Sequence, residues 1–386
     1  MLSEATFELS PGVRTTFGAG SLAKLGKRVR ALGAKGAFIV TDPGLVAHGV
    51  IAPVQGTLEA SGVECRVFDG VTANPTARTV EEGAALARGR PSDVVIAVGG
   101  GSAMDAAKAI AIVGPNGGHI TDYPFGCQPA TPPQRVIALP TTAGTGSETN
   151  MYGVITEPAL GRKILVGHPD LTPALVILDP LLTIDAPPGV TATCGMDVLT
   201  HAIEAFTCVR ANPFSDSVAL RAMSMVAAFL PRAFDDGGDV EARAQMLLAA
   251  NLAGVAFTNS GLGLCHAMGH PLGARLGVSH GQALSTLLPA VMRFNLRVVA
   301  ERYAQAAIAL GVAEPGASDE ENAARAIAAV EQLSARVGTA RRGGELGIEP
   351  ALIPTLVEDA FADSLMAATP RMPERADVRA LYEGVL

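Results

Sequence analysis

Residues 93–112 read DVVIAVGGGSAMDAAKAIAI, and this stretch decides the fold. Val94–Val98 is an unbroken apolar run rich in β-branched residues, which reads as a buried strand. Gly99, Gly100 and Gly101 follow as a tight turn, and Ser102 opens an Ala-rich segment that reads as a helix. Glycines let the backbone approach a ligand closely. The helix N-terminus behind them presents spare N–H groups and the positive end of its dipole, an arrangement suited to a phosphate. The pattern is neither G-x-G-x-x-G nor a P-loop, because no Gly-Lys-Ser/Thr follows. A merely tight strand–helix turn is the competing reading.

Working outward, the same grammar repeats. GAFIVTDPG (36–44), VECRVFDG (63–70), RVIALPTT (135–142) and ALVILDP (174–180) are short apolar runs ending in turn residues. Helix-like segments such as VAHGVIAPVQGTLEASG (46–62) and TARTVEEGAALARGR (76–90) lie between them. Strands apolar on both faces, separated by helices, predict an α/β fold with a Rossmann-like parallel sheet covered on both sides. The grammar changes after TIDAPPGVTAT (183–193), where Pro187–Pro188 interrupts the chain. Beyond it, SDSVALRAMSMVAAFLPRAF (215–234) and EARAQMLLAANLAGVAF (241–257) carry apolar residues at i, i+3, i+4 spacing. SDEENAARAIAAVEQLSARVG (318–338) opens on Ser318 with acidic residues and closes on Gly338, as a capped helix does. The expected division is an α/β domain over 1–187 and an all-helical domain over 188–386.

Two more features of the first half suit a nucleotide. PTTAGTGSET (140–149) gathers hydroxyl and backbone donors into one loop after a strand. A plain polar surface loop would have the same composition. Asp42 ends the strand AFIVTD, where an acid can accept hydrogen bonds from ribose hydroxyls and repel a 2′-phosphate, favouring NAD over NADP. As the residue before Pro43–Gly44 it also suits a turn.

The second half offers metal chemistry. CGMDVLTHAIEAF (194–206) sets Asp197 and His201 four apart, on one face of a helix. HAMGHPLGARLGVSHG (266–281) adds three of the chain's seven histidines: His266, His270 and His280. Imidazoles with a carboxylate suit Fe²⁺, Zn²⁺ or Mn²⁺, and the lack of thiolate partners argues against a structural zinc site. Periodicity leaves the choice among the three histidines open. His266 and His270 form an i, i+4 pair, yet either could act with His280. A zinc hydrolase of the H-E-x-x-H type would place Glu where Ala267 stands, which weakens that reading.

Composition narrows the class. With 386 residues the chain is long enough for two domains. Apolar residues make up 48% and charged residues 17%, which implies a folded rather than a disordered protein. A net charge of −8 argues against a nucleic-acid partner. No uncharged apolar run reaches the roughly 18 residues of a membrane span, and no signal-peptide pattern opens the chain. Five irregularly spaced cysteines without C-x-x-C suit a reduced, cytoplasmic protein.

Taken in order along the chain, GGGSAMDAAKAIA, PTTAGTGSE, GMDVLTHAIEA and NSGLGLCHAMGHPLG…SHG make the sequence resemble the iron-containing (group III) alcohol dehydrogenase family. The likeness runs from FGAGSLAKLG to ADVRALYEGVL. It implies a dehydroquinate-synthase-like fold: an N-terminal NAD-binding domain, a C-terminal helical metal domain, and an active site in the cleft between them. By motif position the metal ligands become Asp197, His201, His266 and His280, with Fe²⁺ as the metal and Zn²⁺ as the alternative. His270 falls outside the metal shell, beside nicotinamide and substrate, where it could relay a proton. The cofactor positions are Asp42, Asn74, Gly99, Gly100, Gly101, Ser102, Asp105, Thr141, Thr142, Thr145, Ser147, Lys163 and Leu181. Tyr152 and Phe257 are candidate walls of the substrate pocket. Ser279 stands before His280 where the family usually has Pro. The implied activity is reversible hydride transfer between NAD(H) and a small alcohol, aldehyde or ketone, in a homodimer. The alternatives are a same-fold lyase of the dehydroquinate-synthase kind and a cofactor-free metallohydrolase. The lyase would need a basic pocket, and the metal region shows no Lys/Arg cluster.

Overall fold

The apolar run Val94–Gly99 lies inside a sheet. The computed structural model describes residues 7–90, 93–158 and 162–386, and its chain divides into two units: Gly12–Asp185, and Ala186–Leu386 together with the segment up to Pro11. Residues 7–11 thus belong with the helical unit rather than with the α/β unit in which they were expected. The backbone of Ser10 explains this: its N–H donates to Asn259 Oδ1 at 2.7 Å, and its carbonyl accepts from Asn259 Nδ2 at 2.8 Å.

In the α/β unit the strands are β1 (Thr15–Phe17), β2 (Gly36–Val40), β3 (Glu64–Phe68), β4 (Val94–Gly99), β5 (Val136–Pro140), β6 (Tyr152–Glu157), β7 (Arg162–Gly167) and β8 (Leu175–Leu178). Among the described residues, six of them form one parallel sheet in the order β1-β8-β5-β4-β2-β3. Every residue of β2, β4, β5 and β8 is buried, as strands covered on both faces must be. The covering helices are α1 (Leu25–Ala31), α2 (Pro43–Ala47), α3 (Ile51–Glu59), α4 (Ala77–Ala87) and α5 (Gly101–Asn116). The side chains of Ala103, Ala106, Ala107, Ala109 and Ala111 are small enough for α5 to lie close on β4 and β5, and all five are buried.

The chain runs from β2 outward to β3, then returns to place β4 on the other side of β2. That reversal is the topological switch point. In open α/β sheets, ligands sit outside the carboxyl ends of the two strands flanking it. Those ends are Asp42, just beyond β2, and Gly99 at the end of β4. The antiparallel pair β6–β7, running in register from Tyr152↔Gly167 to Glu157↔Arg162, was not anticipated.

The helical unit holds α6 (Pro188–Thr207), α7 (Pro213–Asp235), α8 (Val240–Asn259), α9 (Leu264–Leu276), α10 (His280–Ala309), α11 (Asp319–Arg336), α12 (Ile353–Ala362) and α13 (Arg375–Gly384). Helix α6 begins on Pro188, a residue already suited to the first helical position, and is buried along most of its length. It packs against α7, α8 and α10. Ser318 caps α11 in the expected way, with Glu321 completing a reciprocal capping box. By length and composition α7 and α10 could each cross a membrane. In this fold both lie against other helices of the same unit.

Candidate metal centre and dinucleotide cradle

Asp197 and His201 face the same way one turn apart in α6, and both are buried. His201 Nε2 lies 3.5 Å from Asp197 Oδ1. His266 stands on the third residue of α9 and is fully buried. His280 is the first residue of α10, with Nε2 3.6 Å from the same Asp197 oxygen. Gly281 brings it there: a Cβ on that glycine would meet the Thr193 carbonyl oxygen at 2.1 Å, so α10 starts almost in contact with the backbone of α6. One donor atom from each of Asp197, His201, His266 and His280 lies within 4.8 Å of the others. The edge of a tetrahedron built on metal–ligand bonds of about 2.1 Å is roughly 3.4 Å, close to the two separations from Asp197.

The electrostatics of the cluster suits a cation. Burial pushes the Asp197 carboxyl up to about 8. Among the described residues, neither Asp197 Oδ1 nor His266 Nε2 has a hydrogen-bond partner. Buried polar atoms are rarely left so, and a cation between them reverses the balance that burial sets. The donor set, one hard carboxylate with three imidazoles and no thiolate, fits Fe²⁺ or Zn²⁺.

Two carboxylates that sequence reasoning missed complete the surroundings. Glu204 Oε2 accepts from His266 Nδ1, and its Oε1 accepts from the Cys265 N–H at 2.7 Å. His266 is thereby held with Nε2 turned to the cluster, the role a ligand's outer partner commonly plays. Glu204 lies three residues after His201, on the same helical face, so the spacing D-x-x-x-H-x-x-E carried a signal. Asp363 Oδ2 accepts from His270 Nδ1 at 2.6 Å. His270 is not one of the four convergent donors; its ring stacks on His280 with centroids 5.3 Å apart. The i, i+4 partner that would suit a hydrolase is therefore engaged elsewhere. Phe257 lies against His201, with ring centroids 4.8 Å apart.

In the α/β unit, Gly99 adopts φ 151°, a conformation few side chains tolerate. A Cβ on Gly99 would meet that of Ala103 at 2.6 Å; one on Gly100 would reach Thr142 Oγ1 at 3.0 Å, and one on Gly101 Thr145 Cγ2 at 2.7 Å. The turn is thus packed against the loop after β5, and Thr141 N–H donates to the Gly99 carbonyl at 3.0 Å. Ser102 lies in the first turn of α5. Asp42 caps α2 by accepting from Leu45 N–H at 3.0 Å, and its Oδ2 faces the Gly99 turn.

Four other expected cofactor residues fall into two hydrogen-bonded groups, one of them built on a lysine that was missed. Lys108 is fully buried, and its ammonium reaches Ser147 O at 2.6 Å, Ser147 Oγ and Asn150 Oδ1 at 3.0 Å each, and Tyr152 O at 2.6 Å. Burial pushes its pKa down to about 8, against the opposing pull of Asp105 and Glu148. Ser147 Oγ also donates to Asp105 Oδ1 at 2.9 Å. Burial raises the Asp105 carboxyl, partly offset by Lys108, Ser147, Val154 and Lys163. Lys163 donates to Asn74 Oδ1 at 2.9 Å, and Asn74 is the one described non-glycine residue at positive φ, 54°. A lysine three residues beyond Asp105 in an otherwise apolar helix was the available signal. Leu181 is exposed, with its N–H held by Asp179 Oδ1 at 3.1 Å. Tyr152 begins β6, and its ring lies against Phe125.

A switch-point glycine turn in one unit and a buried carboxylate–imidazole cluster in the other fit a metal-dependent oxidoreductase. The chain belongs to the iron-containing alcohol dehydrogenase family: the family model "Iron-containing alcohol dehydrogenase" matches residues 12–180, and "Fe-containing alcohol dehydrogenase family, C-terminal" matches residues 191–386. It is 40% identical over 377 residues to the probable alcohol dehydrogenase EutG of Salmonella typhimurium, covering 98% of this chain and 93% of that one. It is 37% identical over 372 residues to the NAD-dependent methanol dehydrogenase of Bacillus methanolicus, covering 96% and 98%. The crystal structure of a 1,3-propanediol oxidoreductase superposes with a TM-score of 0.95 at 35% identity, covering 99% of this chain and 100% of that one.

Proposed function

We propose that the protein interconverts a small alcohol and its aldehyde or ketone with NAD(H), using Fe²⁺ or Zn²⁺ held by Asp197, His201, His266 and His280. The observation that carries this reading is the buried Asp197 Oδ1, without a hydrogen bond and flanked by imidazole nitrogens at 3.5 and 3.6 Å. When bound there, the cation supplies Lewis-acid chemistry that lowers the pKa of an alcohol hydroxyl. NAD, when bound, supplies the hydride acceptor.

The chain's own residues do the rest. Gly99–Gly101 and the N-terminus of α5 bind the pyrophosphate, with Thr142 and Thr145 packed beneath. Asp42 presents its Oδ2 to ribose hydroxyls and disfavours a 2′-phosphate. Asn74, Asp105, Ser147 and Lys163 hold the neighbouring loops. His270 accepts the hydroxyl proton, and Phe257 walls the pocket beside His201. NAD as the partner is supported by Asp42 and by the likeness to an NAD-dependent methanol dehydrogenase.

The test is a panel of small aldehydes and ketones assayed by NADH oxidation, on protein stripped of metal and then reloaded with Fe²⁺ or Zn²⁺. Turnover should appear only after reloading, and NADPH should substitute poorly. Full activity in the stripped protein would refute the metal role.

A further inference from the structure

We propose that Asp363 is a positioning residue that locks His270 in one orientation and one tautomer, with the proton on Nδ1 and with Nε2 left as the acceptor facing the substrate hydroxyl. The inference deepens the function proposed above and rests on it for its kinetic readout alone.

His270 lies one turn beyond His266 in α9, with its ring 6.0 Å from that of His266 and near-perpendicular to it, and 5.3 Å from that of His280. It therefore borders the donor cluster without contributing a donor to it. Its side chain is 33% exposed, whereas that of His266 is 1% exposed, so His270 alone of the two α9 histidines presents an edge outward.

An imidazole beside a reacting hydroxyl is useful only if the nitrogen facing that hydroxyl is the acceptor. Nothing in the ring fixes this, because the two neutral tautomers are similar in energy and the ring can turn. Asp363 removes both freedoms. A carboxylate only accepts hydrogen bonds, so Oδ2 at 2.6 Å assigns the proton to Nδ1. Asp363 is itself fixed: its Oδ1 accepts from Leu365 N–H at 2.9 Å and caps the turn Ser364–Ala368. Burial raises the Asp363 carboxyl. The hydrogen bond from His270, the charge of that ring when protonated and the Leu365 N–H outweigh it, leaving the group below its ordinary range. Both oxygens of one carboxylate are thus engaged, one in the backbone and one in the ring.

The substitution Asp363→Asn separates positioning from capping. An amide has one acceptor oxygen. If that oxygen keeps the Leu365 cap, the NH₂ faces His270 and forces the proton onto Nε2. If it turns to His270, the Leu365 cap is broken instead. Where the cap is kept, we expect unchanged metal content and an unchanged KM for NAD, with kcat reduced about 100-fold or more, the scale of a misplaced acid–base group. In a His270→Gln background, Asp363→Asn should lower kcat no further.

A second measurement needs no Asp363 variant. In Zn²⁺-loaded protein labelled with ¹⁵N-histidine, the His270 resonance, assigned by its disappearance in His270→Gln, should carry its proton on Nδ1. An Nε2–H tautomer in the wild-type protein would overturn the proposal. So would retention of kcat in Asp363→Asn with an unchanged Tm, the mark of a kept Leu365 cap, or an equal further loss in the His270→Gln background. If the wild-type protein turned over no aldehyde with NADH, the proposed function would fail, while the tautomer measurement would still decide the role of Asp363.

Discussion

Glu204→Gln is the most informative single change at the metal cluster. Glu204 is buried, with 5% of its surface exposed, and uses its two oxygens for two different donors. Oε1 takes the Cys265 N–H in the first turn of α9, and Oε2 takes His266 Nδ1. Glutamine keeps the shape but offers one acceptor and one donor. With its oxygen toward Cys265, the NH₂ faces His266, which must then carry its proton on Nε2, the atom meant for the metal. With its oxygen toward His266, the NH₂ meets the Cys265 N–H, and a buried donor goes unsatisfied. That costs about 1–3 kcal/mol. The first arrangement weakens metal affinity by about 10–100-fold, the usual effect of removing a ligand's outer partner, or ~1.4–2.7 kcal/mol. Either arrangement therefore costs something measurable, and the assay shows which one is adopted. Competition against a chromophoric chelator gives the metal Kd, and thermal unfolding of the metal-free protein gives the stability. We expect a 10–100-fold weaker Kd with a nearly unchanged apo Tm, or the reverse. A variant matching the wild type in both would refute the orienting role of Glu204.

Gly281→Ala should be far more damaging than its size suggests. Its Cβ would fall 2.1 Å from the Thr193 carbonyl oxygen and 2.7 Å from its carbon, both backbone atoms that cannot swing aside. The start of α10, and His280 with it, must move away from α6, so metal content and Tm should fall together, with about 1–3 kcal/mol of stability lost. Gly189→Ala, in the same helix as Thr193 but with no atom within 4 Å of its new Cβ, is the control expected to lower neither. Lys108 sets a pH dependence: burial lowers its pKa from 10.5 to about 8, so between those values the unfolded chain binds the proton more readily than the folded one. Stability attributable to this group should therefore rise with pH across that window, by at most about 3 kcal/mol, and stay level below it. The difference between wild type and Lys108→Met in urea unfolding at a series of pH values isolates the effect; a constant difference would show that Lys108 is not perturbed.

The parts of this protein that were legible in the sequence are those written in local periodicity. The run 93–112 announces strand, turn and helix because burial on both sides of a sheet demands an unbroken apolar run, and because close packing at the turn demands glycine. The helical half is legible for the same reason, down to the capping box at Ser318 and Glu321. The pair β6–β7 was not. In β6 buried and half-buried residues alternate, a weak pattern over only six residues, and Leu165 in β7 is exposed.

The histidines show where local reading stops. His266 and His270 sit four apart on one helix, so periodicity gives them the same face and no means of telling them apart. What separates them is which carboxylate each meets. Glu204, in α6, turns the Nε2 of His266 into the cluster, and its spacing from His201 made it readable in principle. Asp363 is 93 residues beyond His270, at the end of α12, and no spacing rule connects them. Only the packing of α9 against α12 brings that carboxylate to the ring. Under the proposed function, two chemically identical side chains thus take different work from partners that lie outside their own motif. A change at Glu204 should therefore be read in metal affinity, and a change at Asp363 in turnover.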